Sequence, residues 1–468
     1  MGKQLQEVLG EYCSSNPARF HMPGHKGRGL NGFWRGDLAQ WDVTELPQTD
    51  QLHAPEAAIR QTEANCAGAF GAKRTFLLVN GSTVGIEAML LCCSGFERVL
   101  LDRACHRSVL SGAALAGIDV DFIEPQTADL PGGFGVVDAE TLGNELRSRR
   151  ADAVLITSPN YYGLCADLDA LSEVAKRYGA WLLVDAAHGA HFPFSKQLPP
   201  CPAGKAQLWV NSAHKTLNAL GQAAFLHVDE VPGLNESRVQ RMLSLVQTSS
   251  PSYLLMCSLD WARYSASLPG AWDAQVERAN RVRDRIASLP GLAVLGPQAV
   301  GQAGVAAFDP TRICILVTQR GIDGYLAANA LAQRGVIVEM ADAQCVVCIT
   351  TPADPDEWYE RLIDGLMHLP FGAQAQEPPA AYFDVAKRAM PLREAVFAPS
   401  EPVPLASSKG RILSEEVGVY PPGIAAVLPG QRMSERAIAY LLEQQRRGGG
   451  LFGITQGCVS CVKEEPLR

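Results

Sequence analysis

Between residues 70 and 230, short apolar runs alternate with stretches of helical period, the pattern of buried strands joined by crossover helices in a parallel sheet. The runs at 75–79, 98–101, 153–157, 181–184 and 207–210 are apolar at nearly every position, which suits strands covered on both faces. Residues 166–178 carry a helical pattern closed by Gly179, a residue free to take the left-handed conformation that ends helices. The expected core is an α/β, doubly wound, mostly parallel sheet with helices on both faces. A second block has strand-like runs at 312–317, 336–339 and 345–349 around a helical stretch at 325–334, and predicts a smaller α/β domain. Residues 371–381, with several Ala, Gln and Pro, predict a linker into a last segment.

Length and composition add bounds. At 468 residues the chain has room for two or three domains, on a prior of roughly one per 150 residues. Apolar residues make up 47% and charged residues 19%, the proportions of an ordinary globular chain. The net charge of −8 is spread along the length, with no stripe of Lys and Arg to track phosphates, so nucleic acid is not an expected partner. The first residues lack the apolar run of a secretory signal and no stretch of 18 apolar residues occurs, so cytoplasm is the expectation and a membrane is not. Several of the 13 cysteines, such as Cys92, Cys93 and Cys314, sit in apolar runs, as reduced core cysteines do.

Candidate chemistry begins with Asn211-Ser212-Ala213-His214-Lys215-Thr216, directly after an apolar strand. Desolvation there would lower the lysine's pKa and make its amine a nucleophile toward an aldehyde; taken alone, the window reads more readily as a solvated loop lysine. Thirty residues upstream, Asp185 stands at the carboxyl end of another apolar strand, where open α/β sheets bind ligands. A carboxylate there suits a protonated pyridine nitrogen, or else caps a helix. Asn80-Gly81-Ser82-Thr83-Val84-Gly85 opens a helix-like stretch with small residues and hydroxyls, fit to hold a phosphate at a helix N-terminus or simply to cap it. Cys345 and Cys348 share an apolar run and read as core. Cys458 and Cys461 lie in a polar tail, where a metal or redox pair is the lesser alternative, and no metal is expected.

With these windows the chain resembles the Orn/Lys/Arg decarboxylases, pyridoxal-phosphate (PLP) enzymes of fold type I. The resemblance rests on Phe20-His21-Met22-Pro23-Gly24-His25-Lys26-Gly27, Asp42-Val43-Thr44-Glu45-Leu46, Phe76-Leu77-Leu78-Val79-Asn80-Gly81-Ser82-Thr83, Asp102-Arg103-Ala104-Cys105-His106-Arg107-Ser108, Asp185-Ala186-Ala187-His188-Gly189, Ser212-Ala213-His214-Lys215 and Tyr420-Pro421-Pro422-Gly423-Ile424. The last is the window most specific to the family; the aspartate and lysine windows are shared across fold type I.

The resemblance implies an arm over 1–35 with the His-Met-Pro-Gly-His loop, a large PLP-binding domain over 36–295, a small α/β domain over 296–372 and a C-terminal decarboxylase-like domain over 380–468. It implies Lys215 as the Schiff-base lysine, Asp185 as partner of the pyridine nitrogen, Ser82, Thr83 and Ser212 as phosphate ligands, and His106 stacked on the ring, with His188 and His214 lining the pocket. Read without the family, His106 after a strand is a surface or capping histidine. The implied reaction is decarboxylation of arginine, lysine or ornithine toward polyamines, with Lys215 or His214 returning a proton to the α-carbon and the site at a homodimer interface. Aldol cleavage or transamination on the same scaffold, or a PLP-binding relative without turnover, are the alternatives. Glu415 and Glu416 are candidates for the substrate's distal cation. Where many relatives read Pro-Gly-Glu, this chain reads Pro429-Gly430-Gln431, a lost anion that points to altered specificity or lost activity.

Overall fold

In a computed structural model of the chain, residues 11–28, 38–229, 234–372, 388–420 and 423–464 are described. Most of the expected linker at 371–381, both ends of the arm at 1–35, and Pro421 and Pro422 of the Tyr-Pro-Pro-Gly window lie outside them. A short strand, β1 (Ala18–Phe20), precedes the large domain, whose strands are β2 (Arg74–Leu78), β3 (Arg98–Asp102), β4 (Asp119–Ile123), β5 (Ala153–Thr157), β6 (Trp181–Asp185), β7 (Leu208–Asn211) and β8 (Ala224–Val228). They form one seven-stranded sheet in the order β2-β8-β7-β6-β5-β3-β4. Only β8 runs against its neighbours.

Side chains along each strand alternate between two cores, as the two-residue period of a strand requires. Val99, Leu101, Leu155, Leu183 and Val210 enter the core on one face, and Leu100, Val154, Ile156, Leu182, Val184 and Trp209 the core on the other. That explains the unbroken apolar runs: neither face meets water. Among the covering helices are α1 (Gly81–Cys92), α2 (Arg107–Ala116) and α3 (Leu168–Tyr178). The start of α3 is set by Asp167, whose Oδ1 accepts the Ala170 N–H at 3.0 Å, two residues inside the expected 166–178. Its end is Gly179, at φ 72°, as its composition suggested.

The second block forms a smaller sheet of its own. Its sheet, β9 (Ala293–Val294), β10 (Arg312–Leu316), β12 (Met340–Ala341) and β13 (Cys345–Ile349), pairs antiparallel throughout in the order β9-β10-β13-β12. The strand between, β11 (Val336–Val338), pairs in parallel with β1 instead, so the arm is stitched to this small domain. Helices Ala271–Ala287, Gly324–Gln333 and Asp356–Met367 pack on it. Short apolar runs carry no information about strand direction, which depends on how the helices between them cross.

The C-terminal segment builds its own small core around Leu413, Val417, Val427, Leu441 and Cys461. Cys458 and Cys461 lie on one strand, Cys458–Val462, three residues apart and so on opposite faces. The same spacing separates Cys345 and Cys348 on β13. No helix of the described residues is long and apolar enough to cross a membrane.

Candidate active site

Strands β2, β5, β6 and β7 run the same way, so their carboxyl ends share one sheet edge. Asp185 closes β6, Asn80 to Thr83 follow β2, and Lys215 sits in the single turn of helix Ala213–Thr216 after β7. A cavity of about 360 Å³ opens there, lined by Ser82, Thr83, His106, Asp185, His188, His214 and Lys215, all of them residues the sequence singled out. Ser212 reaches it through its hydroxyl, which donates to Ser82 Oγ at 2.8 Å.

Burial dominates the electrostatics. Lys215 Nζ lies 3.0 Å from His188 Nε2, and desolvation lowers the amine's pKa against the opposing pull of Asp185 and Glu339. Asp185 is 3% exposed; burial raises its carboxyl, while Lys215 and the Ala187 N–H, donated to Oδ1 at 3.1 Å, draw it down. His106 is pushed down to about 4 by burial and then by Lys215, and is neutral at neutral pH. It is also the N-cap of α2, its Nδ1 accepting the Ser108 N–H at 3.2 Å, so the capping and the pocket readings hold together.

The start of α1 offers a place for a ligand. Helix α1 has no side-chain cap, because Asn80 Oδ1 accepts the Thr248 N–H at 3.0 Å; its Gly81 N–H donates to the Gln222 carbonyl at 2.8 Å, and Ser82 and Thr83 of its first turn line the cavity. Gly85 lets α1 press on the sheet: a Cβ there would lie 2.7 Å from Leu78 and Val210 side-chain atoms. The buried Thr157 Oγ1, in the same cavity, has no hydrogen-bond partner. A phosphate at α1, an aromatic ring beside His106 and a cationic ring nitrogen at Asp185 suit this donor set, so the residues fit PLP.

Other parts of the chain close the cavity. Met22 of the arm lines it, and its N–H donates to Glu339 Oε2 at 2.8 Å; Tyr161, after β5, donates to Glu339 Oε1 at 2.5 Å. Tyr420 and Ile424 enter from the C-terminal segment, where Ile424 bridges to His106.

The residues expected to bear on substrate charge lie outside this cavity. Glu416 is held by Arg107 Nε at 3.0 Å, Glu415 is exposed, and neither lines the cavity. Arg107 opens α2 on its solvent side, and it draws Glu416 there and away from the lysine. Gln431 is 3% exposed and also lies outside the cavity; its Oε1 accepts the Leu428 N–H at 2.8 Å and staples its own turn. The acid that acts on Lys215 besides Asp185 is Glu339, just past β11, which the sequence reading missed; only the pairing of β11 with the arm brings it here.

Models of the Orn/Lys/Arg decarboxylase major domain and C-terminal domain match residues 4–357 and 378–459. The chain belongs to the Orn/Lys/Arg decarboxylase family. A relative from Bacillus subtilis (strain 168) named arginine decarboxylase is 32% identical over 95% of this chain and 94% of its own. One of the same name from Halalkalibacterium halodurans is 33% identical over 93% and 92%. Lysine decarboxylase A from Pseudomonas aeruginosa superposes with a TM-score of 0.76 at 19% identity, over 95% of this chain and 81% of that one, and so shares the fold. As a member of this family the chain is a PLP-dependent decarboxylase of a basic amino acid.

Proposed function

We propose that the chain removes the α-carboxyl group of arginine, with Lys215 carrying PLP and Asp185 holding the charge of its ring nitrogen. The observation that carries this is the desolvated Lys215 amine in one cavity with the buried Asp185, at the shared carboxyl edge of β6 and β7. Ser82, Thr83 and Ser212 would hold the phosphate at the start of α1, and His106 would lie against the ring. PLP supplies a sink for the electron pair left on the α-carbon as carbon dioxide departs.

His214 Nδ1 lies 2.9 Å from the Ala223 carbonyl and donates to it, which leaves the Nε2 lone pair free to act. Burial, relieved in part by that carbonyl, holds His214 down to about 4, so it stays neutral at working pH. Lys215 would return the proton to the α-carbon, since His214, neutral and with its one N–H on the Ala223 carbonyl, has none to give there. Arginine is favoured over lysine because relatives named arginine decarboxylase are 30–33% identical over 91–95% of the chain, whereas a relative named lysine decarboxylase is 22% identical. On the same reading the enzyme is a cytoplasmic homodimer that feeds polyamine synthesis. Its free and mostly buried cysteines suit a reducing compartment.

Borohydride reduction of the protein with PLP, followed by peptide mass analysis, should place the adduct on Lys215, and Lys215→Ala should lose both adduct and turnover. A panel of amino acids scored for carbon dioxide and amine should single out arginine. Full turnover by Lys215→Ala would end this assignment.

A further inference from the structure

Arg312 opens β10 in the small domain, and only 2% of it is exposed. Its side chain passes beside Gly163, where a Cβ would come within 2.9 Å of it, and reaches the loop after β6. There Nη2 lies 3.2 Å from His188 Nδ1, and His188 Nε2 lies 3.0 Å from Lys215 Nζ. Three residues from three parts of the chain thus make one line of hydrogen bonds ending at the lysine.

Donor and acceptor chemistry decides which way that line runs. A guanidinium has N–H donors only and does not deprotonate in proteins. His188 Nδ1 must therefore accept, and a neutral ring then carries its proton on Nε2, the atom facing Lys215. An Nε2–H needs an acceptor, and the lysine supplies one only as the free amine. With either link reversed, two donors would face each other in a buried site, at the cost of an unmade hydrogen bond.

The surroundings agree with that arrangement. His188 is held well below its ordinary pKa by burial, then by Lys215, Arg312, His106 and His214, so the doubly protonated ring is disfavoured. Tyr161, its ring tilted against His188 with centroids 4.6 Å apart, spends its own hydroxyl on Glu339. Asp309 lies within electrostatic reach of Arg312, whose buried Nε and Nη1 have no hydrogen-bond partner among the described residues. Burial works to raise that carboxyl, but His191, Arg312 and Thr311 outweigh it and hold it down to about 2. His191 Nε2 lies 3.1 Å from Asp309 Oδ2.

We propose that Arg312 is a positioning residue for the decarboxylation, acting through His188: it fixes the ring with its proton on Nε2 and so keeps a hydrogen-bond donor aimed at the Lys215 end of the cavity. This rests on Lys215 being the amine that carries the cofactor. Arg312 itself does not line the cavity; it sets which nitrogen of His188 faces it.

The test is nitrogen NMR of the full-length holoenzyme carrying nitrogen-15-labelled histidine, with the His188 signals identified by their loss in His188→Asn. Wild type should show a proton on Nε2 and none on Nδ1. Arg312→Lys, which keeps a donor, should retain that pattern and the wild-type pH profile. Arg312→Met should lose kcat by roughly 10- to 100-fold with KM little changed, as when partners that fix a histidine tautomer are removed from metal sites. It should also gain an acid limb in the pH profile as His188 begins to titrate. A proton on Nδ1 in wild type overturns the proposal, and so does an Arg312→Met enzyme with wild-type kcat and pH profile. Should Arg312→Met fail to fold, the wild-type spectrum and Arg312→Lys still decide. Borohydride reduction of the same preparation separates the two readings: no adduct on Lys215 defeats the cofactor assignment, whereas an adduct together with an Nδ1–H ring defeats only the role of Arg312.

Discussion

Residue 431 shows how position outweighs residue type. A glutamine in place of an acid looks like a lost anchor for a cationic substrate, yet Gln431 is buried in the C-terminal segment, with its Oε1 on the Leu428 N–H and its backbone carbonyl on the Leu413 N–H. A carboxylate could accept the same turn hydrogen bond, but it would bring a charge into a buried place. Gln431→Glu should therefore leave the affinity for arginine unchanged and lower the thermal midpoint. Steady-state KM and a melting curve on the same preparation check this, and a tighter KM for the variant would restore residue 431 to the specificity argument. The charge that does act on the site comes from Glu339, whose oxygens are already placed by Met22 and Tyr161.

At the scale of elements, the antiparallel strand β8 carries a polar residue into the core between β2 and β7. His227 is fully buried, its Nδ1 is 2.8 Å from Thr75 Oγ1, and its ring stacks on Trp209 with centroids 5.0 Å apart. Burial pushes it down to about 3. The unfolded chain takes up a proton on this ring below about pH 6.5, which the folded chain refuses until about pH 3. In that window the unfolded state binds more protons, so stability rises with pH and is lost as pH falls through it. His227→Phe gives up the Thr75 hydrogen bond and should be the less stable protein at about pH 7, yet its deficit should shrink at about pH 5. Urea midpoints of both proteins at the two pH values measure this, and parallel pH slopes would refute it.

On the scale of the whole molecule, the cavity is shared property. The arm reaches it because β1 joins β11, and because Gly24 lies so close to the Lys215 turn that a Cβ would sit 2.6 Å from the Leu217 carbonyl oxygen. The C-terminal segment reaches it because the buried Arg103 donates Nη1 to the Ala425 carbonyl at 2.7 Å and Nη2 to the Ala426 carbonyl at 2.9 Å, next to Ile424. A lysine cannot serve both carbonyls with a fork. Arg103→Lys should cost roughly 1–3 kcal/mol, the penalty of one buried acceptor left unmet, and should raise KM as Tyr420 and Ile424 loosen over the cavity. Unchanged denaturant midpoint and KM would show that the segment is held elsewhere.

The local signals were strong wherever the chemistry is local. Both-face burial prints itself as unbroken apolar runs, so β2, β3, β5, β6 and β7 were legible within a residue or two, and Gly179 marked the end of α3. Lys215, Asp185 and the Ser82-Thr83 turn were legible because each follows such a run, and parallel strands must deliver their ends to one edge. What the chain could not state by itself is which distant groups meet there. The antiparallel small sheet, Arg312 behind His188, Glu339 under the arm, and the removal of Glu415, Glu416 and Gln431 from the cavity all depend on pairings between segments far apart in sequence. Hydrophobic period records whether a residue is covered, but not by what, and a charged side chain's role is set by the partner that covers it.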